Sequence, residues 1–264
     1  MRRKLIVGNW KMYGGLEQNQ ILITKLIENL RDIKGGDFAI CVPYPYLFQA
    51  QKLLSGTNIL WGAQNVSPFE EGAFTASISA SMIADFDCSF AIIGHSERRA
   101  VTHDSNQSAA KRFAQTLHAG ITPIFCVGET MAERMAGIAH RIVTNQMRAL
   151  LDGLDAKTFE LAEKLNAVIA YEPVWAIGAS QTASPPEAQS MHVLIRQLIA
   201  KRDPEFAKKV RIIYGGSVTP ANAGAIFSMP DIDGGLIGRS SLNPEDFKRI
   251  CEIACSSESE NSTI

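Results

Sequence analysis

Residues 89–95 read SFAIIGH. The run is apolar at every position and then stops on a glycine and a histidine. A strand with one wet face alternates between apolar and polar residues. A strand that is apolar throughout has both faces covered, which is the pattern of a parallel strand held between two layers. The same kind of run recurs seven times: KLIVGN (4–9), FAICVP (38–43), NILWGAQ (58–64), ITPIFCVGE (121–129), NAVIAYE (166–172), VRIIYGG (210–216) and GGLIGRS (234–240).

Helical spacing fills several of the gaps. Ile23, Leu26, Ile27 and Leu30 form one stripe, and Ala109, Ala110, Phe113 and Leu117 another. Ile142, Val143, Gln146, Met147 and Leu150 come close to a third, and Met191, Leu194, Ile195 and Leu198 make a fourth. The fourth opens on Ser184 followed by two prolines, and a last helix opens on Asn243, Pro244 and two acids. Both read as capped helix starts. Eight strands alternating with helices in 264 residues predict an α/β fold closed into a (β/α)8 barrel. A doubly wound sheet would carry GxGxxG after its first strand, and GNWKMYGG (8–15) is not that. No linker divides the chain, so 1–255 reads as a single barrel domain and 256–264 as a polar tail.

Net charge is −1, which gives no general attraction for nucleic acid or an anionic membrane. The five cysteines are odd in number and include no CxxC. That suits a reducing, cytoplasmic setting. Cys251 and Cys255 share a helix face and read as core packing. The first apolar run, Leu5-Ile6-Val7, is too short for a signal-peptide core, and no segment is long and apolar enough to span a membrane.

In a parallel barrel, chemistry sits at the carboxyl ends of the strands. Those ends carry Asn9 and Lys11; Gln64 and Asn65; His95, Ser96 and Glu97; Glu129; Glu172; Gly215, Gly216 and Ser217; and Gly238. Glu172 precedes Pro173 and an apolar segment containing Trp175. It reads as a solvated loop residue or as a desolvated carboxylate whose pKa and basicity are raised. His95 is the first polar side chain past a buried strand. His103, His118, His140 and His192 read as packing or surface residues. YGGSV (214–218) and IGRSSL (237–242) can gather backbone N–H groups around an anion. No HExxH or DxDxDG spacing suggests a metal, no serine sits in a nucleophile elbow, and Cys126 lies inside an apolar strand. The inventory therefore points to proton transfer beside a carbonyl on a phosphorylated substrate, with no metal and no cofactor.

GNWKM, GAQNVS, IIGHSERR, CVGET, AYEPVWAIG, YGGSV and the GxLIG ending, in this order from residue 5 to about 250, resemble the triosephosphate isomerase family. The resemblance implies a TIM barrel that interconverts dihydroxyacetone phosphate and D-glyceraldehyde 3-phosphate in glycolysis and gluconeogenesis. It implies Glu172 as the base, and His95 as a neutral imidazole polarising the carbonyl. Lys11 would stabilise the enediolate, and Asn9 would contact substrate alongside it. Gly178, Ser217, Gly238 and Arg239 match the family's phosphate-binding positions, and Ser96, Glu97 and Cys126 match supporting ones. Pro173, Val174, Trp175, Ala176, Ile177, Gly178, Ala179, Ser180, Gln181, Thr182 and Ala183 resemble a lid that excludes water. Phe74, Thr75, Ala76 and Ser77 belong to a stretch, beginning GAFT (72–75), that resembles the loop inserting into a partner subunit in this family, implying a homodimer.

Three places depart from the family. The far lid hinge reads ASQTA (179–183) rather than TGKTA. Gly238-Arg239 stands where Gly-Gly is usual, so Arg239 either points away or reaches the phosphate. TASIS (75–79) replaces TGEIS, so an Arg near position 98 loses its usual acidic partner and a rearranged or weaker dimer contact is expected. Intact Asn9, Lys11 and PVWAIG favour the three-carbon substrate over a longer sugar phosphate. Retention of Glu172, His95 and Lys11 together opposes a binding protein without catalysis.

Overall fold

A computed structural model describes residues 2–178 and 182–256. The expected strands form β1 (Lys4–Asn9), β2 (Gly36–Val42), β3 (Ile59–Ala63), β4 (Phe90–Ile93), β5 (Thr122–Val127), β6 (Val168–Tyr171), β7 (Arg211–Tyr214) and β8 (Gly234–Ile237). Each pairs in parallel with the next, and β8 returns to β1, closing the barrel. The expected stripes lie on helices Leu16–Leu30, Asn106–His118, Ala139–Gly153, Pro185–Ala200 and Pro244–Ser256. Ser184 caps its helix reciprocally with Glu187, and the Asn243 side chain accepts from the N–H groups of Glu245 and Asp246. The expected tail from 257 onward, and Ala179, Ser180 and Gln181 of the expected lid, lie outside the described residues.

Two apolar layers explain why the strands read as unbroken runs. Alternate residues point into the barrel: Leu5 and Val7, Ala39 and Cys41, Phe90 and Ile92, Ile124 and Cys126, Val168 and Ala170, then Ile213 and Leu236. The residues between them, such as Ile6, Ile40, Phe125 and Ile212, pack outward under the helices. Apart from Leu60 on β3 and a few residues at the strand starts, the strand residues are buried.

The inward phase also sets what stands at the top. Counting by twos, β1 continues from Leu5 and Val7 to Asn9, and β6 from Val168 and Ala170 to Glu172. Both stay buried. β4 is different, because Phe90 and Ile92 lead to Gly94, and His95 falls out of phase. Gly94 has φ +68, a left-handed conformation that glycine adopts without a Cβ penalty. This turn lets the next residue, His95, line the same cavity as Glu172.

Ala76 stands where the family resemblance expects glycine, and its φ is +69. Left-handed backbone costs an L-residue about 1–2 kcal/mol, while glycine costs roughly 0.5–1 kcal/mol in chain entropy. Ala76→Gly is therefore expected to stabilise the chain by about 0.5–1 kcal/mol. A urea melt should show a higher midpoint at unchanged slope, and an equal or lower midpoint would show that the strain is compensated.

Candidate active site

Glu172 has 2% of its surface exposed. The Ser96 backbone N–H, at the start of helix Ser96–Val101, donates to its Oε2 at 2.8 Å. His95 Nε2 lies 2.8 Å from Oε1, close enough to help hold the carboxyl ionised. Oε1 thus faces the His95 ring rather than a backbone donor. The backbone here is pinned by the Glu172 N–H donating to Val127 O at 2.7 Å.

Room for this carboxylate is made by glycines on both sides. A Cβ on Gly128 would stand 1.7 Å from Glu172 O, and one on Gly215 would stand 2.9 Å from Glu172 Cγ. Gly216 likewise leaves space for the Tyr214 hydroxyl. Gly215 and Gly216, read from sequence as an anion site, are thus also required by close approach. Gln146 holds the strip bearing Gly128 with two hydrogen bonds, accepting from Gly128 N at 2.7 Å and donating to Gly128 O at 3.0 Å.

The sequence reading allowed a Glu172 pKa raised by burial. The net direction is the reverse. Burial does push the carboxyl up, but the His95 ring, the Ser96 N–H and Lys11 together hold it below the ordinary carboxylate value. The partners that reverse the direction lie after β4 and β1, far away in sequence. Burial and the Glu172 charge push the neighbouring Cys126 thiol well up, so Cys126 stays a protonated, apolar backing.

His95 caps helix Ser96–Val101, and its Nδ1 accepts from the Glu97 N–H at 3.2 Å. An imidazolium carries protons on both nitrogens and could not accept there. The contact therefore fits a neutral ring with its proton on Nε2, toward Glu172. Burial pushes the His95 pKa down, and the adjacent carboxylate outweighs it and pulls the value up. A second ring proton would still have to break the Glu97 contact.

Lys11 sits in left-handed backbone with φ +54. Asn9 Oδ1 accepts from the Lys11 N–H at 3.0 Å. The Gln64 amide donates to Lys11 O at 2.9 Å and to Cys41 O at 3.0 Å. These contacts hold an otherwise unfavourable conformation, and the ammonium reaches Glu97 at 2.6 Å. Sequence inspection found Gln64 at a strand end but gave it no task, and here it positions Lys11.

The chain after Glu172 is anchored by a fully buried Glu129. Glu129 accepts from Trp175 Nε1 at 2.8 Å and from the Tyr171 hydroxyl at 3.1 Å, and its carbonyl accepts from the Val174 N–H at 3.0 Å. The Arg134 guanidinium lies 4.4 Å over the Trp175 ring and pairs with Glu129 and Glu187. Arg134 had no sequence signal, since one arginine on a short helix looks like any surface charge. Farther along, the Ser217 N–H donates to Ala176 O at 3.3 Å.

A cavity of about 260 Å3 collects Asn9, Lys11, His95, Glu172, Ile177, Gly178, Ser217, Gly238 and Arg239. Ser96, Glu97 and Cys126 stand behind its walls, touching Glu172, Lys11 or His95. Pro173, Val174, Trp175 and Ala176 lead to the cavity's edge, with Pro173 and Ala176 buried, and Ala183 is buried beyond it. Phe74, Thr75, Ala76 and Ser77 are not brought to the cavity and form an exposed loop. His192, read as packing, is fully buried with Nδ1 3.0 Å from Asp231 O. Burial lowers its pKa to about 4, so it stays neutral.

The sequence model of the family described as triosephosphate isomerase matches residues 4–254. The chain belongs to the triosephosphate isomerase family. It is 46% identical over 254 residues to the triosephosphate isomerase of Thiobacillus denitrificans, covering 96% of this chain and 99% of that protein. The enzyme of the same name from Dechloromonas aromatica is 45% identical over 254 residues, covering 96% and 100%. That from Nitrosomonas eutropha is 44% identical over 253 residues, covering 96% and 98%.

The Ser96 N–H can be removed with little disturbance. Ser96 is the first helical residue, and His95 before it has φ −52 and ψ 143, which proline tolerates on both counts. Ser96→Pro is expected to raise the Glu172 pKa, because it removes one hydrogen bond to the charged form. The folded carboxyl sits low, so its stabilising contribution is present above the unfolded pKa and lost as pH falls through the folded value. In the variant that loss begins at higher pH. Titrating the Glu172 carboxyl by difference infrared or carbon NMR measures the shift. An unmoved titration would mean that His95 and Lys11 suffice.

Proposed function

We propose that this chain interconverts dihydroxyacetone phosphate and D-glyceraldehyde 3-phosphate through an enediolate. The observation that carries the reading is the Glu172 carboxylate, buried, held ionised and lining one cavity with Lys11 and His95. Oε1 takes the proton from the carbon next to the carbonyl. His95 Nε2–H donates to the carbonyl oxygen and moves protons between the two substrate oxygens. Lys11 supplies fixed positive charge where the enediolate develops. Glu172 then returns its proton to the neighbouring carbon.

For this to happen the substrate must come between Glu172 and His95. Once the carboxylate leaves the ring, burial, the largest influence, still lowers the His95 pKa, with Glu97 opposing it and Lys11 adding to it. Separation therefore favours the neutral imidazole that the carbonyl requires. Asn9 and Lys11, with backbone groups of Gly178, Ser217, Gly238 and Arg239, form the phosphate side. Residues 173–183 act as the lid, and closure excludes water from the intermediate. No cofactor takes part in this scheme. Five cysteines with no CxxC among them suit a cytoplasmic protein of glycolysis and gluconeogenesis.

The active form is proposed to be a homodimer. Met12 is 94% exposed, Phe48 65%, Phe74 42% and Val101 77%. These side chains come from the segments after β1, β2, β3 and β4. Phe74 stacks on Phe69 at 4.0 Å without burying either. Exposed apolar side chains on these four successive segments support an interface there. Arg98, expected to lack its usual partner, has Asp104 at 2.8 Å within the chain. Its charge is compensated there, which supports a dimer without that intersubunit pair.

A coupled assay with glyceraldehyde 3-phosphate and a four-carbon aldose phosphate in parallel tests the substrate. Turnover of the three-carbon compound is expected to dominate, and Glu172→Gln should lower kcat about 10²–10⁴-fold, the range of a lost general base. Preference for the longer sugar would sink the triose assignment, and a Glu172→Gln variant as active as the parent would sink the mechanism. Phe74→Asp is expected to yield monomers in sedimentation velocity, with reduced activity. A tight dimer in that variant would place the interface elsewhere.

A further inference from the structure

Arg239 differs from every other residue at the cavity. It is exposed, lines the phosphate side with Gly238 and Ser240, and has no ion-pair partner among the described residues. The other cation lining the cavity, Lys11, is already paired with Glu97 at 2.6 Å. Counting the charged side chains that line the cavity, and Glu97 paired to one of them, Lys11 and Arg239 balance Glu172 and Glu97. Without Arg239 this set carries a net negative charge. The whole chain, at −1, offers no compensating attraction. A phosphate monoester near neutral pH is close to a dianion, so it would meet repulsion at the mouth.

Position as well as charge favours a role. Arg239 opens the turn Arg239–Leu242 after β8. The turn is fixed by Ser241 Oγ donating to Gly238 O at 2.7 Å and Ser240 Oγ donating to Val218 O at 3.0 Å. The second bond ties it to the segment after β7, the other wall of the same side. The guanidinium thus springs from a rigid base, and its five donors in a planar fork suit phosphate oxygens.

We propose that the Arg239 side chain is a specificity-determining cation of this chain. It draws phosphorylated ligands to the cavity and contacts the phosphate from the β8 side. This rests on the isomerase reading for its substrate, but not for its binding chemistry.

The test compares the parent with Arg239→Gln and Arg239→Lys. Arg239→Gln is expected to lower the ratio of kcat/KM for glyceraldehyde 3-phosphate to that for glyceraldehyde by about 3–10-fold at low ionic strength. The loss should sit in KM and shrink as salt rises, since a rim charge is screened. Arg239→Lys should recover the salt dependence, and part of the ratio. Competition by inorganic phosphate, read by calorimetry, should weaken several-fold in Arg239→Gln. An unchanged ratio and phosphate affinity in Arg239→Gln would overturn the proposal. So would a lysine variant as deficient as the glutamine one. Were the parent to turn over no triose phosphate, the isomerase reading would fail while phosphate binding still judged Arg239.

Discussion

One buried charge organises the top of this barrel. Taking a carboxylate out of water costs several kcal/mol unless its oxygens are met by donors or opposite charge. Glu172 is met on one side by the Ser96 N–H and flanked by the His95 ring. Its other oxygen faces that ring at 2.8 Å. Gly128 and Gly215 leave the volume it occupies, and Cys126 backs it with a thiol that will not ionise. Five segments, from β1 and β4 through β7, therefore answer to one side chain.

How much of this the sequence carries depends on how local each cause is. Burial of both strand faces writes itself into every strand, so the eight runs and the barrel were legible without help. Asn9 and Glu172 were legible too, because they continue the inward phase of their strands. His95 obeys no such count. It faces the cavity because Gly94 turns left-handed just before it, and a glycine before a histidine does not announce that by itself. The direction of the Glu172 shift was hidden for another reason. Its neighbours in sequence supply burial, while the groups that hold it ionised come from 76 residues earlier and beyond. A burial argument made along one strand sees half of the balance.

Lys11 shows a cost that periodicity cannot reveal. A lysine in left-handed backbone costs of order 1–3 kcal/mol and persists when its surroundings over-determine it. Asn9 supplies one restraint from two residues away and Gln64 another from the end of β3. Together they aim an ammonium that a relaxed backbone would send elsewhere. The family motif GNWKM identified this lysine at once, but the reason for the motif's shape lies in Gln64, which is outside it.

The segment after Glu172 raises the question of how departures from the family at 179–181 can be carried. Its near end is held by Glu129 through Trp175 and Val174, and Arg134 covers the indole. The same guanidinium reaches Glu187, which forms the reciprocal cap with Ser184 on the helix beyond. Both ends of the proposed lid therefore refer to one arginine on the short helix Met131–Met135. Anchoring of this kind fixes where the ends are while leaving the residues between them free of that task. In the proposed lid, departures between these anchors would bear on the ease of hinge motion, not on where its ends are held. The position of Glu172 depends on the anchors and on the glycines around it, so it is insulated from those substitutions.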